Sequence, residues 1–479
     1  MPGTFPNVIV VGGGLAGIAA ACDLADASLP VTLLEARPML GGKTWSFRDT
    51  QTGMPVDNGQ HVFLGCCAAY QRFLQRLGVA KATHLQTRLR VPIFAAGQQP
   101  ATLEAARFPL PAPLHLLPSF LRLPMLSWRE KLQAARTLAA IAQAGRSGRS
   151  AYDHLSFADW LRQRGESDNA IKYLWNLITL PTLNENCERA SGGLALMVFQ
   201  EGLLRRAGGA RIGYASVGLS DLLCDAAERY LKTRGAAVRL SARVAALVME
   251  DDRLMGVRLA DGAVLPAEQV VLALPHYALA SLAPVGCHSH PFFARAAQLG
   301  VSPIVGVNLW LDRVVLREPL AAVIGRSDTY WVFDKGALLG LDLQGGQYLS
   351  VSISGAHRYL DQSREQIIAE VRGDLEAALP ALRAAEITHA LVIKERQATF
   401  AATPGSLAQR LPAATPVPGL FLAGAWTDTG WPATMEGAVL SGHAAARAVL
   451  RASYSRNKTE SRLPRQQQSS INRNTLALS

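Results

Sequence analysis

The sequence predicts an α/β fold in which a dinucleotide-binding domain is interleaved with an α+β second domain. Three observations carry that prediction: a β-branched run that ends in a glycine-rich turn and a small-residue helix, a second strand that ends on an acid, and two later returns of the strand-and-turn pattern. The first is Val8-Ile9-Val10-Val11, followed by Gly12, Gly14 and Gly17 in G-x-G-x-x-G spacing and then by Ile18-Ala19-Ala20-Ala21-Cys22. Gly12 permits a tight turn, Gly14 lets the backbone approach a pyrophosphate, Gly17 lets the helix pack closely on the strand, and the helix N-terminus offers free N–H groups to the anion. The second strand, Val31-Thr32-Leu33-Leu34, ends at Glu35, where a ribose-binding carboxylate belongs.

Composition bounds the rest. The chain has 479 residues, 49% hydrophobic and 18% charged, which describes a globular protein able to bury more than one core. The formal net charge of +11 points to an anionic partner. No basic run interleaved with aromatics suggests nucleic acid, so an anionic membrane surface is expected instead. The six cysteines show neither a C-x-x-C pair nor metal-like spacing with histidine, and read as reduced packing residues of a cytoplasmic protein with no metal site. The start of the chain has no basic region ahead of an apolar run, so no signal peptide is expected, and no uncharged apolar run reaches the ~18 residues of a membrane span.

In chain order, residues 1–85 form the first segment of the nucleotide domain, and 86–212 a helical first segment of the second domain that faces substrate and membrane. Within the latter, Phe108 to Leu126 is apolar, proline-rich and flanked by bases. Its prolines forbid one continuous helix, and it is either a buried connector or a segment that dips into a bilayer interface. Residues 213–285 return to the nucleotide domain, with strands at Val238 to Val244 and Gln269 to Leu274. Residues 286–404 carry β-rich runs such as Val305 to Leu311, Tyr330 to Phe333 and Tyr348 to Ser354, which make a sheet. Residues 405–450 bring a last strand, the Gly424 turn and a small-residue helix, and residues 451–479 are expected to be a disordered basic tail.

The stretch after Glu35 specifies the nucleotide. Glu35-Ala36-Arg37-Pro38-Met39-Leu40-Gly41-Gly42-Lys43 resembles the E-x-R-x-x-x-G-G-[RK] extension of the amine oxidase and carotenoid desaturase flavoproteins, which implies an FAD-binding Rossmann-like domain with an interleaved substrate domain. Asp57-Asn58-Gly59-Gln60-His61, Trp331-Val332-Phe333-Asp334-Lys335 and Trp426 to Val439 look, within that superfamily, like the hydroxysqualene dehydroxylases of bacterial squalene and hopanoid biosynthesis. The resemblance runs from Val8 to Leu450. It implies FAD held by Gly12, Gly14, Gly17, Glu35, Arg37, Gly41, Gly42, Lys43, the backbone of Val244, Gly424, Ala433, Thr434 and Met435, and a linear triterpene alcohol as substrate. One position departs: the acid that usually follows the glycine matching Gly424 is Ala425 here, and Asp428 is the expected substitute.

The resemblance also implies that reduced FAD removes a hydroxyl, and hydroxide is a poor leaving group without a proton. A general acid is therefore expected beside the flavin, where such assistance contributes ~10²–10⁴ in rate. His61 is the candidate, because an unperturbed imidazole titrates near ~6.5; Asp57 is expected to hold it charged, and Glu436 stands in reserve. Trp331, Phe333, Trp426 and Trp431 are candidates to shield a developing allylic cation. Two alternatives remain open, a carotenoid-type desaturase and a non-catalytic prenyl-binding carrier. An unidentified electron donor and peripheral association with the cytoplasmic face of the inner membrane complete the expectation.

Overall fold

The computed structural model describes residues 7–251, 253–282 and 290–460. A five-stranded parallel sheet runs in the order Ala237–Arg239, Val31–Leu34, Val8–Val11, Gln269–Leu272, Leu420–Leu422. Every residue of Val8–Val11 and of Gln269–Leu272 is buried, as a parallel sheet covered on both faces demands. The chain leaves Val8–Val11 toward one edge and later returns to add strands on the other. The carboxyl ends of Val8–Val11 and Gln269–Leu272 therefore flank a topological switch point, where ligands of open α/β sheets bind. Helix Leu15–Asp26 packs on the last helix, Met435–Glu460, so tightly that a Cβ on Gly442 would stand 2.3 Å from the carbonyl oxygen of Ala16.

The second large sheet has seven strands in the order Ile387–Phe400, Val301–Leu311, Gln347–Ser354, Thr329–Asp334, Leu320–Ile324, Arg90–Ala95, Ala101–Glu104. Its faces alternate along Thr329–Asp334: Tyr330 and Val332 join the core shared with Ile367 and Val371 of helix Arg364–Ala378, while Trp331 and Phe333 face the helical block. That block is built from helices such as Trp128–Ala144, Asn176–Leu183 and Gly192–Phe199, around Phe157, Trp160, Trp175 and Phe199, whose rings lie 5.1 to 5.9 Å apart.

Two expectations are corrected. Residues 86–212 are not purely helical, because Arg90–Ala95 and Ala101–Glu104 extend the seven-stranded sheet. The last helix continues through Glu460, so residues 451–460 of the presumed tail are helical; its remainder lies outside the described residues. Among the described residues no helix is long and apolar enough to cross a membrane.

Candidate active site

At the switch point the three glycines of the loop meet different surroundings. Gly12 has φ +107°, and a Cβ there would meet the carbonyl oxygen of Ala273 at 2.5 Å. A Cβ on Gly17 would lie 1.9 Å from the oxygen of Gly12, so helix and turn can touch only through glycine. Gly14 differs: the nearest atom to its Cβ position is the Cα of Gly42, at 3.8 Å, and the residue faces an open cleft. Gly14 also caps helix Leu15–Asp26 with no side chain on its free N–H groups, which leaves those donors for an anion.

Glu35 is buried, and its two carboxylate oxygens accept from the backbone N–H of Gly13 (2.6 Å) and of Arg37 (2.8 Å). A carboxylate has about four acceptor sites, so two remain for a ribose diol. The second glycine turn is stitched to the first: Gly41 N–H donates to the Gly13 carbonyl at 2.8 Å, and Arg37 donates to the Gly42 carbonyl at 3.1 Å. Lys43 donates to the carbonyls of Gln397 and of Ala398, and burial draws its pKa below the usual lysine value.

The cleft between these loops has a volume of about 480 Å³ and is lined by Gly12, Gly14, Glu35, Arg37, Gly41, Gly42, Lys43, Gly424, Ala433, Thr434 and Met435. The N-terminus of helix Met435–Glu460 opens into it, and a helix N-terminus stabilises negative charge. Asn58 also lines it, and its buried Oδ1 has no partner within the protein, an acceptor left for an N–H of a bound group. Val244 does not line the cleft. It starts strand Val244–Glu250, two residues beyond Ala242, whose N–H donates to the Glu35 carbonyl. Asp428 does not line it either; its side chain is exposed, so it cannot replace the acid missing at Ala425. That loop is instead held from beneath by Arg410, buried and donating to the carbonyls of Ala425, Trp426 and Thr427. Burial pulls the Arg410 pKa down to about 10.

A second cavity of about 240 Å³ adjoins the cleft and is lined mainly by apolar side chains, among them Phe63, Leu177, Met197, Trp331, Phe333 and Trp431. They share Gln60, Val62, Pro181, Thr182, Ile304, Thr434 and Met435 as a common border. Trp426 is not with the other three aromatics. It lines the nucleotide cleft and donates its indole N–H to the Leu274 carbonyl at 2.7 Å.

The acid–base residues are arranged otherwise than expected. Asp57 does not touch His61; its Oδ1 accepts from the Leu219 N–H and its Oδ2 from the ammonium of Lys335, with both side chains almost wholly buried. His61 lies at the cleft, and its Nδ1 sits 2.7 Å from the Gly59 carbonyl. A carbonyl only accepts, so Nδ1 carries the proton and Nε2 is open. Burial lowers the His61 pKa, against opposing pulls from the Gly59 carbonyl and the Asp57 charge, so the ring is neutral at neutral pH. Glu436 is a cap: its oxygens accept from the N–H groups of Ala69 (3.0 Å) and Tyr70 (2.7 Å) at the start of helix Ala68–Arg76. With both oxygens engaged, Glu436 is a poor proton donor, although burial raises its pKa. Sequence reasoning missed Lys335 and Arg410, and also His276, which is buried against the cleft. A signal existed for Lys335, which continues the alternate positions of Trp331 and Phe333.

The profile of a family described as flavin containing amine oxidoreductase matches residues 15–450. A hydroxysqualene dehydroxylase of Sinorhizobium fredii is 31% identical over 93% of this chain and 98% of its own length. The chloroplastic and chromoplastic 15-cis-phytoene desaturase of Capsicum annuum is 27% identical over 93% of this chain and 78% of its own. A probable zeta-carotene desaturase of Synechococcus elongatus is likewise 27% identical, over 93% and 99%. Among solved structures, an oxidoreductase from Methanosarcina mazei superposes with a TM-score of 0.70 at 16% identity, covering 93% of this chain and all of that one. Cyclohexylamine oxidase from Brevibacterium oxydans superposes with a TM-score of 0.67 at 19% identity, over 93% and 99%.

Proposed function

We propose that this chain, which belongs to the family of flavin-containing amine oxidoreductases, reductively removes the hydroxyl of hydroxysqualene to give squalene. That it is an FAD-dependent oxidoreductase follows from the family, and the cleft fits the cofactor: glycine where a Cβ would intrude, free helix N–H groups, Glu35 and the unpartnered Asn58 Oδ1. Membership of an oxidoreductase family argues against the carrier reading. The observation that carries the substrate assignment is the apolar cavity bordering the cleft, whose lining suits isoprene units, and the dehydroxylase of S. fredii supports the alcohol form.

Bound FAD supplies hydride chemistry in its reduced state. The chain's own residues do the rest. Trp331, Phe333 and Trp431 exclude water from the hydrocarbon. His61, anchored through Nδ1, presents Nε2 as the atom that takes up and passes on the proton needed by the departing oxygen. A second reading, desaturation of a linear polyene, is favoured by the similarity to phytoene desaturases. Product analysis of the flavin-loaded protein with hydroxysqualene separates the two: squalene supports dehydroxylation, and an added double bond supports desaturation.

The substrate is lipid-soluble, and the surface supports peripheral attachment to the cytoplasmic face of the inner membrane. Among the described residues, six of the twelve exposed large hydrophobic side chains, Phe108, Leu114, Leu117, Leu121, Trp128 and Leu132, fall within one 25-residue stretch. Arg107, Arg122, Arg129 and Arg136 are exposed among them and suit an anionic surface. The same stretch buries Leu116, Leu123 and Leu126, so it is connector on one side and apolar surface on the other.

A further inference from the structure

We propose that Gln60, oriented by Lys335, recognises the substrate hydroxyl and makes this site select an isoprenoid alcohol over the corresponding hydrocarbon. The inference rests on the dehydroxylation reading and names the residue that would give it specificity. Gln60 belongs to the border between the apolar cavity and the nucleotide cleft, where a reacting carbon must lie. Its Oε1 accepts from Lys335 at 3.1 Å, and that ammonium, itself buried and fixed by Asp57, can only donate. The amide is therefore held with its NH₂ turned away from the lysine. One N–H has a long contact of 3.4 Å to the His61 carbonyl, and the other is available.

The remaining polar side chains of the border are complementary. Thr182 donates its hydroxyl proton to the Ile178 carbonyl at 2.6 Å, and Thr434 donates to the Pro432 carbonyl at 3.3 Å. Each hydroxyl has one proton, so toward a ligand both threonines can only accept, Thr434 with one of its two acceptor sites already taken by the Gly437 N–H at 3.1 Å. Gln60 is thus the side-chain donor of this border, and the threonines are its acceptors. A C–OH group, which both accepts and donates, satisfies this set. A hydrocarbon leaves the amide N–H unmatched in an apolar space, which costs affinity.

The test is binding of hydroxysqualene and of squalene to the FAD-loaded protein in mixed micelles, read by quenching of tryptophan fluorescence and expressed as a ratio so that micelle partition cancels. The wild type is expected to prefer the alcohol by roughly 5- to 30-fold. Gln60→Leu and the acceptor-only Gln60→Glu should both bring the ratio to near one, with squalene binding by Gln60→Leu undiminished. Lys335→Arg, still a donor-only cation, should keep the preference, whereas Lys335→Met combined with Asp57→Asn should lose it. A wild-type ratio near one, or an unchanged preference in Gln60→Leu, overturns the inference. Failure of the wild type to make squalene, with the preference and its loss intact, removes the dehydroxylation reading instead.

Discussion

Replacing Lys335 by Met should be among the most damaging single changes outside the glycine loop. The lysine and Asp57 side chains are 2% and 4% exposed, and they pair at the junction of the flavin-side turn and the seven-stranded sheet. Removing the cation leaves a buried carboxylate with one backbone donor, the Leu219 N–H at 3.1 Å. An uncompensated buried charge costs about 3–5 kcal/mol, a large share of the ~5–15 kcal/mol that holds a domain together. Asp57→Asn in the same chain removes the stranded charge and keeps an acceptor for Leu219, so the double variant should regain at least about 2 kcal/mol. Urea melts of wild type, both single variants and the double variant give the coupling directly, with flavin fluorescence reporting cofactor release in the same samples. Equal unfolding free energies for Lys335→Met and the double variant, within about 0.5 kcal/mol, would refute the claim that the pair acts as a buried ionic tie.

Gly14→Ala should fold but purify depleted of flavin, because its Cβ projects toward the cleft, whereas Gly17→Ala should fail to fold, with its Cβ 1.9 Å from the Gly12 oxygen; soluble yield and the visible flavin spectrum check both. Replacing Leu117, Leu121, Trp128 and Leu132 by polar residues should abolish co-flotation with anionic vesicles at unchanged thermal stability, since all four are exposed; unchanged flotation would refute the membrane assignment. Burial depresses the pKa of His61, His115 and His276, and both ring nitrogens of His115 lack partners. The unfolded chain therefore takes up protons below about pH 6.5 that the folded chain refuses, so stability should fall as pH drops, by about 1.4 kcal/mol per pH unit for each histidine until its folded pKa is reached. His115→Phe should flatten that slope in melts between pH 6.5 and 5.

What the sequence made legible is what is local. The G-x-G-x-x-G turn, Glu35 and the Gly41-Gly42-Lys43 turn lie within 36 residues, and their geometry is set by backbone sterics and short-range hydrogen bonds. What it hid depends on partners far along the chain. Asp57 is paired with a lysine 278 positions away, and Glu436 caps a helix 366 and 367 positions away, so nothing near either residue betrays its partner. Asp428 was a reasonable substitute by proximity, but the turn aims it outward. Arg90–Ala95 escaped because Pro92 interrupts a short run and because its hairpin with Ala101–Glu104 is completed only by pairing with Leu320–Ile324, more than two hundred residues on. The end of the last helix escaped because a helix can continue past the face that packs it.

The central claim is tested most directly by an anaerobic single turnover. The FAD-loaded protein is reduced, mixed with hydroxysqualene and followed by flavin absorbance, with the product extracted and identified. Reoxidation of the flavin with one squalene formed per flavin is the predicted result. A flavin that stays reduced, while the oxidised protein is bleached by a linear polyene precursor that gains a double bond, would contradict the assignment and make the protein a desaturase.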